Sequence, residues 1–208
     1  MSDYTATRSV AIALADERQA MQEGYVFLDE KCVLLAGAML RELRRFDQAK
    51  SRLRALQSQA ATALAAALRR HGLQSLQCYP AMPQQAITLS LQQRLLLNVP
   101  LIDASTTREP VATPEPVYVS PEAEDCRAAF LDFTQQLAVM AAMSGNLARL
   151  HREYRRSVRR VRALQDVLLP ELEGEINEIE TQLEELERDE LLGARWQPTG
   201  SSRSLFQS

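Results

Sequence analysis

At 208 residues with a net charge of -3, the chain lacks the basic surplus that nucleic-acid and anionic-membrane binders carry. Aromatic residues make up only 5 %, and a 46 % hydrophobic share heavy in Ala and Leu favours long helices over a sheet-rich globule. Cys32, Cys78 and Cys126 are too scattered for zinc or redox motifs and fit a reducing compartment, while Met1-Ser2-Asp3-Tyr4 opens no secretory signal.

Residues 1–7 are polar and read as loose. From Arg8 the pattern is helical, and Met21, Tyr25, Leu28, Cys32, Leu35, Met39, Glu42, Phe46, Ala49, Leu53, Leu56, Ala60, Ala63 and Ala67 alternate steps of four and three. Only Glu42 interrupts this apolar seam, and the alanines at its end suit a close approach of two backbones. The helix is expected to stop at His71-Gly72. The longest apolar run, Cys32 to Leu40, is about half of the roughly 20 residues a membrane span needs, so any membrane link goes through partners.

Between Leu73 and Pro121 seven prolines forbid a long helix, while Ile87, Leu89 and Leu91 alternate with polar neighbours as in a strand. A second run, Leu95 to Val99 with Leu101 and Ile102, can pair with it as a small hairpin, and 103–117 reads as an exposed loop. The second helix opens with Ser120 as N-cap, Pro121 in the first helical position and acids in the first turn. Its expected seam is Phe130, Phe133, Leu137, Met140, Ser144, Leu147, His151, Tyr154, Val158 and Val161. Leu168, Leu172, Ile176, Ile179, Leu183 and Leu186 carry it on, with a stutter and Pro170 in the same place, where the helix should bend or straighten.

Two seams joined by a short middle segment give an all-α fold: a long antiparallel two-helix coiled-coil hairpin with a small β-hairpin and loop between the helices. Its expected parts are 8–72, 73–120, 121–193 and a flexible tail, 194–208.

Phosphate-cradling, HExxH and CxxC motifs are missing, and His71 and His151 lie far apart, so no catalytic, cofactor-binding or metal residue is expected. Charge says more. Arg149, Arg152, Arg155, Arg156, Arg159, Arg160 and Arg162 crowd one stretch against the single acid Glu153. Antiparallel pairing would set this belt beside Arg41, Arg44 and Arg45, a collar calling for an acidic partner unless it is simply a solvated face. Glu171 to Glu190 reverses the sign, with Arg188 its only base. Arg149, Arg152, Arg155, Arg156, Arg159 and Arg160 are therefore the charged candidates for partner binding. Val161, Leu164, Leu168, Pro170, Ile176, Ile179, Leu183 and Leu186 are the apolar ones.

Arg159 to Leu192, RRVRALQDVLLPELEGEINEIETQLEELERDELL, resembles the C-terminal segment of the D subunit of V-type and archaeal A-type rotary ATPases. Thr7-Arg8-Ser9, Gly24-Tyr25, Leu28-Asp29-Glu30-Lys31 and Asn98-Val99-Pro100 are similar to that family's opening, first-helix and hairpin motifs. Cys32 and Val33 stand where an Arg-Asp pair is usual, and Arg162 where Asn is usual. The resemblance implies a non-catalytic central-stalk rotor shaft that binds no nucleotide itself. Its partners would be the catalytic A and B subunits of the head, the small F rotor subunit and the adaptor (C/d type) on the membrane ring. No nucleic acid is expected, and the location would be cytoplasmic and peripheral to the membrane. An unrelated coiled-coil scaffold, self-associating through its seams, is the alternative; a nucleic-acid binder is disfavoured by the acids beside the arginine belt.

Overall fold

The computed structural model describes residues 7–80, 87–108, 116 and 119–195. The expectations for residues 1–6, for Pro110 and Pro114 and for the tail from Trp196 lie outside them. The elements are α1 (Arg8–Gln77), β1 (Ile87–Leu96), β2 (Val99–Arg108), α2 (Pro121–Ala163), a π turn (Leu164–Leu168) and α3 (Leu169–Arg195). The fold is all-α, two long helical stretches with an antiparallel β-hairpin between them in sequence. It divides into two compact units, one of residues up to Glu30 and from Val158 on, the other Lys31–Ser157.

In the first unit the start of α1 meets α3. Thr7 caps α1, its carbonyl accepting from Val10 and Ala11 N–H and its hydroxyl from Val10 N–H at 3.4 Å. Leu14 packs in one cluster with Leu172, Ile176 and Ile179 of α3, flanked by Val10, Ala11, Met21 and Leu183. Arg8 donates to Glu187 at 2.9 Å, which fixes the antiparallel direction. The expected irregularity near Pro170 is a π turn, in which Leu169 N–H reaches Leu164 O, five residues back. Pro170 has no N–H to give, and the extra residue resets the helical phase by about 100°. The seam resumes at Leu172, while Leu168 is left 39 % exposed.

In the second unit the lower half of α1 pairs with α2, with Lys31 to Glu153 at 2.6 Å and Arg70 to Glu122 marking the antiparallel register. Gly72 (φ 71°, ψ 165°) breaks α1 before its last turn, in a conformation glycine adopts without penalty. Every seam position named on α1 is buried or half-buried, Glu42 included. The seam named on α2 is only partly in phase. Phe133, Met140, Leu147, Tyr154 and Val158 are half-buried and Val161 is buried, but Phe130, Leu137, Ser144 and His151 are exposed, and Asn146, Leu150 and Ser157, outside the named series, are buried. Hydropathy places Asn and Ser outside, but here Asn146 is drawn in by hydrogen bonds to the hairpin.

β1 and β2 pair from Ile87↔Arg108 to Leu96↔Val99. Two corrections follow: Leu95 to Val99 is not one strand but straddles the turn, and 103–108 is strand rather than loop. The turn falls on Leu97 and Asn98, both with positive φ (50° and 67°), as a two-residue hairpin of this twist requires. The strain of that backbone at Leu97 is offset by packing, with Leu96, against the core of Leu35, Ala38, Val99, Leu101 and Leu150. Asp103 to Arg108 look loop-like in composition, yet each has a partner on β1, Ile87 to Gln92.

Full burial of a leucine contributes about 1.5–3 kcal/mol, so this five-residue core joins α1, β2 and α2 firmly. Leu35→Ala is expected to lower the unfolding free energy by about 2–5 kcal/mol in urea titrations followed by circular dichroism. Leu40→Ala, at a position 58 % exposed, should change it by less than about 0.5 kcal/mol.

Candidate partner-binding surface

The hairpin is fixed to both helices of its unit. Ile102 turns its N–H and C=O to the open edge of β2, where Asn146 Oδ1 accepts from the N–H and Asn146 Nδ2 donates to the C=O, each at 2.8 Å. Arg149 Nη1 also donates to Asn146 Oδ1 at 3.1 Å, so the oxygen of the carboxamide is identified by its donors. On the other strand Arg94 donates to Asp103 at 2.8 Å and stands 3.8 Å from the buried carboxylate of Glu42, which Arg45 approaches at 3.6 Å.

The charged candidates divide accordingly. Arg149 is half-buried and braces Asn146, while Arg152, Arg155, Arg156, Arg159 and Arg160 are exposed. The expected neighbourhood of Arg41, Arg44 and Arg45 is corrected by the register. With Lys31 on Glu153, Arg41 lies about 15 Å further along α1, opposite Met143 rather than Arg149. Among the apolar candidates Val161, Ile176 and Ile179 are buried in their own unit, and Leu164 and Leu183 are half-buried. Leu168, Pro170 and Leu186 are exposed. Among the described residues no disulfide forms, and no helix is long and apolar enough to cross a membrane.

Residues 11–195 match the family described as the D subunit of ATP synthase. The chain belongs to that family. It is also similar to the V-type ATP synthase D subunit of Thermotoga neapolitana, 25 % identical over 188 residues, which span 89 % of this chain and 92 % of that protein. A D subunit is a structural part of an ATPase, so its uncovered surfaces are where other chains can be met.

Two such surfaces were not singled out from the sequence. Val33, Leu34 and Leu40 lie on α1 away from the seam and are more than half exposed, and Leu89, Leu91 and Leu95 line the outer face of β1. Their signal was available for α1: from Cys32 to Leu40 the helix is apolar all round, more than one seam needs.

Where α1 ends and α2 begins, polar groups close the joint. Ser120 Oγ caps α2 at Ala123 N–H (3.3 Å) and lies 2.6 Å from His71 Nε2, while Tyr79 donates to Glu124 at 2.9 Å. Arg127 donates to Glu124 and to Pro80 O, and its guanidinium sits over the Tyr79 ring, 5.5 Å from the centroid. Desolvation, with the hydrogen bond to Glu124 behind it, pushes the Tyr79 phenol up. The hydrogen bond from its own backbone N–H, then Arg70, holds the Glu122 carboxyl below its ordinary 4.5.

A depressed carboxyl adds stability above its unfolded value and loses it as pH falls through the folded one. Glu122→Gln should therefore lower the melting temperature near neutral pH, and the gap to the parent protein should close on the acid side of 4.5. A gap that stays constant in melts across that range would show that the charge of Glu122 contributes nothing.

Proposed function

We propose that this D subunit is the central-stalk rotor shaft of a V-type or A-type rotary ATPase. It transmits torque between the head that hydrolyses or synthesises ATP and the membrane ring that moves ions. The observation that carries the reading is the antiparallel pairing of the start of α1 with α3, Arg8 with Glu187 and Leu14 with Leu172, Ile176 and Ile179. A lone helix twists and bends under load, whereas two helices locked along a seam turn together. Family membership over residues 11–195 supports the same reading.

The paired ends engage the catalytic A and B subunits, and the exposed arginines, Arg152 to Arg160, meet acidic groups there in turn as the shaft rotates. The hairpin-bearing segment engages the small F rotor subunit and the C/d-type adaptor of the ring. The chain binds no nucleotide and performs no chemistry; it makes the catalytic sites differ by presenting an asymmetric surface to each. Its place is cytoplasmic, held at the membrane by those partners.

The test is purification of the tagged chain from its native membranes in mild detergent. Recovery with a nucleotide-binding hexamer and ATP hydrolysis is expected; recovery alone or as a self-assembled rod would overturn the shaft. Within the assembled complex, reversing Arg155, Arg156, Arg159 and Arg160 to Glu should lower ATP turnover by roughly tenfold, because each reversed charge then faces like charge. Far-ultraviolet circular dichroism of the isolated variant should be unchanged. Full turnover would remove the arginines from the mechanism.

A further inference from the structure

We propose that Asn146 and Glu42 are positioning residues that make the β-hairpin a torque arm, an inference that rests on the shaft reading above. A two-stranded hairpin is marginal by itself and must take its rigidity from what it is mounted on. The apolar part of the mount, Val99 and Leu101 against Leu35, Ala38 and Leu150, is strong but non-directional, and alone it would let the hairpin slide or pivot under a sideways force. The polar part supplies direction.

Each strand is tied to a different helix. β2 is held to α2 by the two 2.8 Å hydrogen bonds between Ile102 and Asn146. β1 faces α1 through Arg94 and Glu42, and Arg94 carries the link across to β2 at Asp103. Asn146 is 1 % and Glu42 5 % exposed, and both occupy seam positions where an apolar side chain would serve helix pairing better. Their cost is understandable if the hairpin must not move relative to the two helices. Arg149, bonded to Asn146 Oδ1, keeps the carboxamide from flipping. A force applied at the outer leucines, Leu89, Leu91 and Leu95, then reaches both helices at once and turns them together.

The experiment places Asn146→Leu and Asn146→Asp in the assembled, ion-pumping complex and reads three quantities: amide exchange at Ile102, ATP turnover, and ions moved per ATP. Leucine fills the space but leaves both Ile102 groups unpaired; aspartate keeps an acceptor for the N–H and loses the donor to the C=O. In the leucine variant Ile102 exchange should rise roughly tenfold or more and ions per ATP fall by about half, with ATP turnover retained; aspartate should fall between. Glu42→Gln, which keeps the shape and removes the charge, should lower ions per ATP in the same direction. A leucine variant with fast Ile102 exchange and an unchanged ion ratio overturns the torque arm while leaving the shaft intact. If the leucine variant does not assemble, the aspartate variant decides by the same readouts. Failure of the parent chain to co-purify with an ATP-hydrolysing head overturns the shaft reading instead.

Discussion

One narrow stripe of α1 has to be covered along its length, and that constraint organises the molecule. From Met21 to Ala67 each residue of the four–three series is withdrawn from water. A stripe that narrow hides little else, so Val33, Leu34 and Leu40 remain on the surface although they belong to the most apolar run of the chain. In a globule a second layer would cover them. Among the described residues nothing covers them, and an uncovered apolar surface of this kind suits a chain that belongs to a family of subunits.

The stripe also gives a reason for the two buried polar groups beside the hairpin, Glu42 and Asn146. A seam of leucines and alanines is tolerant of slippage by whole turns, because one apolar contact is much like the next. Glu42 and Asn146 are not interchangeable with their neighbours: each has its partner at one level of the hairpin, Arg94 or Ile102. Register in this unit is thereby tied to a side-chain-to-backbone match instead of to burial alone. Leu97 does the same on the strand side. It holds a left-handed backbone that its β-carbon disfavours, and in doing so it places a side chain in the core that the turn would otherwise leave empty.

What could be read in the sequence follows from this. The phase of α1 was legible because the apolar residues facing its partners keep step with the helix, and the stutter with Pro170 pointed to the place where a π turn absorbs one residue. The β-hairpin was legible in outline through the alternation of Ile87, Leu89 and Leu91. The phase of α2 was legible only in part, because its buried face also passes through Asn146 and Ser157, polar residues of which Asn146 has its partner, Ile102, far away in sequence. The extent of β2 was hidden for the same reason: Ser105, Thr106 and Thr107 are strand only because β1 is beside them. At the candidate surface the exposed arginines are evident from charge alone, but only the bond to Asn146 separates Arg149 from them.

That separation has a mechanical meaning. On a helix of 3.6 residues per turn, a set of arginines spaced three and four apart can face outward only if the residues between them face inward. Arg152, Arg155 and Arg156 do so, with Glu153 and Tyr154 half-buried between them and Leu150 and Ser157 buried on either side. Arg149 lies nearer the boundary of the two faces, close enough to fold back onto the carboxamide that holds the hairpin. The same short stretch of α2 thus carries the mount of the hairpin on one side and a row of charges on the other. In the proposed shaft, a displacement imposed at the hairpin would be shared by Arg152, Arg155 and Arg156, because Asn146 and those arginines stand on the same stretch of α2.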